Sequence, residues 1–285
     1  MMSAVGAPRA LNKFEAYAIY DFGNYDRSSD FGGGDSQTNT VVLGGDMKLS
    51  DQLLAGIAFG YTEDKSSLGN DGGGFKLGEA TLTAYGAWVN GPWYAGASVG
   101  GGDLDYRNIH RTITLGGGSR TESGTTRGTH LMARALGGYW FSYGSWIHGP
   151  FVRLTYQEAK VYAWSETGTS STAMSFSHQK RDSFVSSLGW QAEGSFGWVR
   201  PYARVTWEKD YNNDDRTVRA GLVSMGGIGF GLPAFRPDDN YMLFDVGVSG
   251  ELGNSKVTGF VSVNATASKN DGNYQAVTVG VRVPL

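Results

Sequence analysis

The last twelve residues of the chain, 274–285, alternate between apolar side chains and small or polar ones. Strict alternation predicts a β-strand, because successive side chains of a strand point to opposite faces. A soluble sandwich would bury the apolar face in its core, whereas a transmembrane barrel would turn it toward lipid and turn the other face toward a polar lumen. The apolar positions are Leu285, Val283, Val281, Val279 and Val277, and the positions between them hold Pro284, Arg282, Gly280, Thr278 and Ala276.

The same period of two recurs along the chain and predicts about twelve strands. Several of these strands carry Trp or Tyr near an end, as the interface belts of membrane proteins do. The chain has no apolar run of about 18 residues, which excludes a conventional transmembrane helix but not a barrel, since a barrel strand spans with about 9 to 11 residues. The predicted strands lie at 14–22, 41–49, 53–61, 80–88, 93–99, 131–141, 152–156, 184–192, 199–207, 242–252, 257–263 and 274–285.

Short and long connections alternate between these strands. The even-numbered connections are tight, and all odd-numbered ones except the last are long. A closed antiparallel meander puts all odd connections at one end, and outer-membrane barrels have short periplasmic turns and longer extracellular loops. A Greek-key sandwich would not sort its connections in this way. The predicted fold class is therefore all-β: a transmembrane antiparallel up-and-down β-barrel of about 12 strands, with both termini on the periplasmic side.

The chain is divided into a short N-terminal segment and the barrel. Residues 1–12 are predicted to be a linker or a partial helix toward the pore, and residues 13–285 to be the barrel. The N-terminus lacks the apolar core of a secretory signal, so an exported protein is expected to have lost one. Residues 218–230 alternate weakly and are predicted as part of a long loop, 211–239; the alternative is an extra strand pair above the membrane or folded inward.

Composition narrows the possible functions. The 44 glycines and 13% aromatic residues favour strands and membrane interfaces over helices. The net charge of -3, without any basic block, gives no sign of a nucleic-acid partner. The absence of cysteine excludes disulfides, thiolate zinc sites and cysteine nucleophiles.

Charged and amide side chains fall on the polar face of the predicted strands. Charge on that face is tolerated where the lumen is wet or the charges are paired. The alternative is a set of solvent-exposed faces on a soluble sheet, which the aromatic strand ends on the opposite face argue against. The predicted pore-lining residues are Glu15, Arg134, Arg153, Gln157, Glu193, Arg204, Glu208, Asp245, Glu251 and Arg282.

Motifs for chemistry are weak. The run from Gly96 to Gly100 matches the nucleophile-elbow pattern around Ser98, but an elbow needs a following helix and none is predicted. The four histidines, His110, His130, His148 and His178, show no metal-binding spacing, although a rim pair such as His178 with Asp182 could arise. We therefore predict no catalytic, cofactor or metal site, and no enzyme activity of the barrel alone.

Four features of the C-terminal half occur in a fixed order. They are the run WVRPYARVTWE at residues 198–208, the long loop that follows it, the strand around 245–248 and the alternating last strand. In these features the chain resembles the C-terminal translocator barrel of bacterial autotransporters (type V secretion), and most closely that of the esterase autotransporters. The resemblance covers about residues 13 to 285.

The resemblance implies a barrel that anchors and exports an N-terminal passenger, through or with the barrel. The implied partners are outer-membrane lipid, the barrel assembly machinery, and the chain's own passenger and linker helix; a monomer is expected. Passenger catalytic residues would lie upstream. The family usually ends in an aromatic residue read by the assembly machinery, whereas this chain ends in Leu285; the implied assembly signal is Val279, Val281, Val283 and Leu285.

Two other functions stay open beside the translocator. A free-standing outer-membrane channel, or porin-like barrel, would conduct ions through the polar lumen. An outer-membrane barrel hydrolase would use Ser98 or a rim histidine. The first would show stable large conductance in bilayers, and the second would show hydrolysis by the barrel alone.

Overall fold

The computed structural model describes residues 13–28, 33–168, 170–212, 214–226, 228–253 and 256–285. The predicted linker at 1–12 lies outside the described residues. The described part contains no helix able to cross a membrane. Its strands are β1 (Phe14–Arg27), β2 (Asp35–Lys48), β3 (Leu53–Leu68), β4 (Gly73–Asn90), β5 (Trp93–Leu115), β6 (Gly118–Tyr139), β7 (Phe141–Tyr143), β8 (Trp146–Val161), β9 (Trp164–Ser165), β10 (Met174–Phe176), β11 (Gln179–Gly194), β12 (Val199–Asp210), β13 (Thr217–Leu222), β14 (Gly229–Pro233), β15 (Asn240–Glu251), β16 (Thr258–Ala267) and β17 (Gly272–Pro284).

Twelve of these strands form a closed antiparallel barrel, which confirms the predicted fold class. β1 pairs with β2 on one side and with β17 on the other, so the first and last strands close the wall. The closing register sets Ala18 opposite Val281 and Tyr20 opposite Val279. Leu285 donates its amide to the Phe14 carbonyl at 2.9 Å, so both strand ends lie at the end of the barrel that carries the tight turns. We call this the short-turn end and the opposite one the long-loop end.

The outer face of the wall is apolar and exposed. Ile57 and Leu82 are each 63% exposed, and Val246 is 54% exposed. A water-soluble protein would bury such side chains, so their exposure around the wall marks a surface that lipid covers. Aromatic rings gather outside the short-turn end, where the Trp93 and Tyr139 centroids lie 4.7 Å apart. This arrangement is the aromatic girdle of a membrane barrel.

The inner face packs aromatic rings against glycines on neighbouring strands. A Cβ on Gly44 would overlap the Tyr17 ring, and one on Gly56 would overlap the Tyr85 ring. A small buried cluster of Tyr17, Val42 and Ala58 results near the short-turn end. The missing side chains let the rings lie flat along the wall, so the lumen keeps open space at its centre.

The long connections are more ordered than predicted. The long connection predicted between the strands at 93–99 and 131–141 is instead mostly a continuation of both strands, because β5 continues to Leu115 and β6 begins at Gly118. The loop prediction for 218–230 was wrong, since β13 and β14 pair there and join β10 and β9 in a separate four-stranded sheet. These segments lie beyond the apolar belt, where neither face has to be apolar, so the alternation that marks a membrane strand disappears from their sequence.

Candidate functional site: the lumen

An ion pair stands on the wall of the lumen and links three neighbouring strands. Arg153 on β8 places Nη2 2.5 Å from Glu208 Oε1 on β12, and its Nε donates to Ser187 Oγ on β11 at 3.1 Å. Ser187 Oγ donates in turn to Glu208 Oε2 at 2.7 Å. Glu208 is buried, and a buried carboxylate is tolerated only when it is paired and hydrogen-bonded. The cluster therefore holds a negative charge at a defined place inside the barrel.

A second charged group lies beside it. Arg204 Nη1 is 3.9 Å from Asp245 Oδ2, and Arg204 Nη2 donates to Gln191 Oε1 at 3.2 Å. The guanidinium carbon lies 5.2 Å from the centroid of the Phe151 ring, a cation–π distance. Gln191 also donates to the Tyr94 hydroxyl, which reaches over from β5. Side chains from non-neighbouring strands thus meet inside the barrel.

A third cluster lies near the short-turn end, where the barrel closes. Arg282 on β17 places Nη1 2.6 Å from Glu15 Oε2 on β1 and 3.5 Å from Asp46 Oδ2 on β2. Its guanidinium lies over the Tyr17 ring at 5.4 Å, and the Tyr85 hydroxyl donates to Asp46 Oδ2 at 2.9 Å. The pair between Arg282 and Glu15 ties the first strand to the last.

Between these groups the barrel encloses a cavity of about 830 Å³. The walls leave buried polar atoms without partners among the described residues: Arg134 Nε, Arg204 Nε and Asp245 Oδ1. Buried polar groups in proteins nearly always find a hydrogen-bond partner in protein or water. The lumen therefore favours a polar content, water or a polar chain segment, over an apolar one.

Most of the predicted pore-lining residues meet inside the barrel. Glu193 is buried on the inward face of β11, whereas Glu251 lies at the exposed end of β15 and outside the cavity wall. Sequence reasoning missed the luminal tyrosines Tyr17 and Tyr85, and also Asp46. A glycine lies opposite each of the two rings on the next strand, and Asp46 lies on the polar parity of its predicted strand. The cavity is lined by Arg134, Arg153, Gln157, Arg204, Glu208 and Asp245 among others, and Glu15 and Arg282 form the ion pair below them.

The residues considered for catalysis do not form a reactive group. Ser98 lies in mid-strand on β5, opposite Arg134 in register, and β5 simply continues beyond it. His130 contacts Glu79 through Nδ1 at 2.6 Å, while His148 stacks on Trp190 outside the barrel, 5.7 Å between centroids. Among the described residues no group of His, Asp and Glu is placed to hold a metal ion.

The closed wall, its apolar exterior and its ion-paired interior define a transmembrane β-barrel of the outer-membrane type. A family model described as "Autotransporter beta-domain" matches residues 16–264. The chain belongs to this family. The predicted resemblance and the predicted role as an outer-membrane translocator domain are thereby confirmed.

Curated relatives are longer than this chain. Esterase EstA of Pseudomonas aeruginosa is 30% identical over 234 residues, which are 80% of this chain and 36% of the relative. Lipase 1 of Photorhabdus luminescens is 28% identical over 253 residues, 86% of this chain and 37% of the relative. The chain thus spans little more than a third of the length of these relatives.

Solved structures share the fold. The translocator domain of the autotransporter NalP from Neisseria meningitidis aligns with a TM-score of 0.79 at 17% identity, covering 100% of this chain and 91% of that one. The beta domain of the Bordetella autotransporter BrkA aligns with a TM-score of 0.70 at 17% identity, covering 96% of this chain and 100% of that one. At this identity the likeness speaks for the fold alone.

Proposed function

We propose that this barrel anchors an N-terminal passenger in the outer membrane and exports it through or with the barrel. The observation that carries the proposal is the enclosed lumen with buried, unpartnered polar atoms on its wall. A cavity of 830 Å³ matches about two turns of a helix roughly 10 Å across. A polar linker helix in the lumen would supply partners for atoms such as Arg134 Nε and Asp245 Oδ1.

The same proposal assigns an orientation. We place the short-turn end in the periplasm and the long-loop end outside the cell, because outer-membrane barrels have this asymmetry. Both strand ends, at Phe14 and Leu285, then face the periplasm. Leu285 is 78% exposed there, which leaves it accessible to the assembly machinery as the end of the signal formed with Val279, Val281 and Val283.

The pore-lining residues take a supporting role in this proposal. Pairing of Arg153 with Glu208, and of Arg282 with Glu15, keeps the wall polar without leaving strong isolated charges that would trap a passing chain. We propose that the barrel acts as a monomer, since its wall is closed and offers no free barrel edge among the described residues. EstA and Lipase 1 are named for hydrolysis, and we assign that activity to the parts of those proteins that this chain does not match.

A surface-display experiment tests the proposal. A signal peptide and a small epitope-tagged passenger are fused before residue 13, and intact cells are treated with an external protease. We expect the tag to be cleaved in intact cells while a periplasmic marker survives. A barrel that inserts but keeps its tag wholly in the periplasm would contradict the export role, and stable large conductance of the purified barrel would favour a channel.

A further inference from the structure

Three cations stand side by side on the outer face of the wall, toward the long-loop end. Lys65 on β3 lies directly opposite Lys76 on β4, and Lys76 lies directly opposite Arg107 on β5. All three side chains are exposed. We call Lys65, Lys76 and Arg107 the basic row.

Such a row is unfavourable by itself. Directly opposed residues on paired strands have Cβ atoms about 5 Å apart, and like charges at that distance repel. Arg107 is partly neutralised, because Glu63 Oε1 lies 3.8 Å and Asp105 Oδ2 lies 3.4 Å from its guanidinium. Within the described residues, the ammonium groups of Lys65 and Lys76 have neither a hydrogen-bond nor an ion-pair partner. Two of the three cations in the row are therefore left without a carboxylate bound to them.

A neighbouring part of the same rim shows the contrast. Lys160 and Lys180 also lie on the outer face toward the long-loop end, but carboxylates neutralise both. Lys160 Nζ is 2.5 Å from Glu158, and Lys180 Nζ is 2.9 Å from Glu158 and 3.0 Å from Asp182. The difference between the two places lies in the pairing. Glu63, two residues from Lys65 on the same face of β3, lies 3.8 Å from Arg107, and neither lysine of the basic row has an ion pair among the described residues.

The position of the basic row along the barrel axis indicates which layer of the membrane it contacts. On β3 the exposed apolar face runs from Leu53 to Tyr61, and Lys65 follows four residues later. With a rise of about 3.3 Å per residue and a tilt of about 40°, Lys65 lies about 30 Å along the barrel axis from Leu53. The apolar band of such barrels is about 25 Å tall, so the row stands just beyond it, at headgroup level.

We propose that the basic row binds the phosphate groups of the outer-leaflet glycolipid, lipopolysaccharide, next to strands β3 to β5. The inference rests on the orientation given under the proposed function, which puts the long-loop end in the outer leaflet. Lipid phosphates are anions held at the height where the row stands, and their charge relieves the repulsion between Lys65 and Lys76. The apolar face below the row, including Phe59 and Leu82, contacts the acyl chains of the same lipid.

The test uses the full 285-residue chain folded in a non-ionic detergent. Binding of bis-phosphorylated lipid A is measured by native mass spectrometry for the wild type and for Lys65→Gln/Lys76→Gln. The matched control is Lys13→Gln/Lys256→Gln, which removes the same charge from exposed positions at the short-turn end. We expect the first variant to lose about fivefold in affinity for each cation removed and the control to bind like the wild type.

Two further arms separate the possible sources of phosphate. Dephosphorylated lipid A is expected to bind the wild type as weakly as phosphorylated lipid A binds the variant, and millimolar inorganic phosphate is expected not to compete. Equal binding of phosphorylated lipid A to the wild type and the variant would overturn the proposal. Tight binding of the dephosphorylated lipid, or competition by free phosphate, would also overturn it.

Stability without lipid gives an independent readout. Because the two lysines repel each other, Lys65→Gln/Lys76→Gln is expected to unfold at the same or a higher temperature than the wild type in detergent alone. A purely structural role for the lysines predicts a lower temperature. If the double variant does not fold, Lys76→Gln alone is measured against the same expectations. Surface display in cells is scored separately. Display without lipid A binding would contradict the lipid site alone, and lipid A binding without display would contradict the export role alone.

Discussion

The two faces of the barrel wall come from the same strands and follow opposite rules. On the outside, side chains such as Val246 stay exposed and uncharged, and their stabilisation comes from lipid. On the inside, Glu208 is buried and charged, and its stabilisation comes from Arg153 and Ser187. The comparison shows that burial in this protein does not mean a hydrophobic core. Buried side chains on the inner face are instead held by polar contacts that replace water, and a few aromatic rings pack beside them.

The largest loss of stability is expected from a substitution on the inner face. Arg153→Met leaves the Glu208 carboxylate buried without its cation, and losing one partner of a buried pair costs about 3 to 5 kcal/mol. The free energy of unfolding in lipid vesicles, measured by urea titration, should fall by that order. The control Arg153→Met/Glu208→Gln should recover most of the loss. A single variant as stable as the wild type would show that luminal water solvates Glu208 without help.

The second-largest loss of stability is expected from a charge placed on the outer face. Val246 lies near the middle of β15, and Arg there should lower the free energy of unfolding by about 2 to 4 kcal/mol, because the guanidinium meets hydrocarbon. Gln157→Arg puts the same side chain on the lumen wall and should change stability by no more than about 0.5 kcal/mol. Urea unfolding in the same vesicles measures both. Similar costs for the two variants would mean that the faces do not differ as described.

The third-largest loss of stability is expected from replacing a luminal glycine. Gly44→Ala drives a methyl group into the Tyr17 ring, and overpacking of this kind costs about 1 to 3 kcal/mol. Gly86→Ala is the control, because its Cβ would meet its nearest neighbour, the Leu54 carbonyl, at an ordinary 3.4 Å. The double variant Tyr17→Ala/Gly44→Ala should cost less than the sum of its single changes. Additive costs would argue against direct contact between ring and glycine.

The smallest effect concerns pH at the long-loop end. The Lys209 ammonium, which hydrogen-bonds the Asp239 carboxylate at 2.5 Å, lowers the pKa of that carboxyl below its usual 3.8. A lowered pKa in the folded state contributes stability above pH 3.8 that is lost as the pH falls through the folded value. The protection factors for hydrogen exchange at residues 234–239, which correct for the pH dependence of intrinsic exchange, should therefore fall on acidification below that range. Asp239→Asn should remove this pH dependence, while Asp214→Asn should leave it unchanged.

Much of the barrel could be predicted because lipid imposes the alternation. The run from Val277 to Val283 shows the alternation directly. The sorting of short and long connections predicted that the sheet closes into a barrel. The hairpin beyond the apolar belt could not be predicted, since neither face from Asp105 to Leu115 is apolar throughout. Its order comes from contacts distant in sequence, such as the two hydrogen bonds from Arg111 to the Glu166 carboxylate.

The lumen was predicted as a set of residues but not as a set of partners. Parity placed Arg204 and Asp245 on one face, but which charge meets which depends on strand register, and register appears only in the assembled wall. Tyr94 joins Gln191 from a strand that is not its neighbour, a contact that no local pattern contains. Glu251 shows the converse: its parity was right, but its place at the end of a strand keeps it out of the cavity.

The pairing of β1 with β17, which closes the barrel, has a consequence for the order of synthesis and folding. The ion pair across it joins residues 267 positions apart, so a ribosome has released nearly all of the chain before this contact can form. Until then both margins of the growing sheet carry unsatisfied amides and carbonyls, which invite pairing with other chains. The two edge strands of the barrel therefore stay open to aggregation until the first and last strands pair.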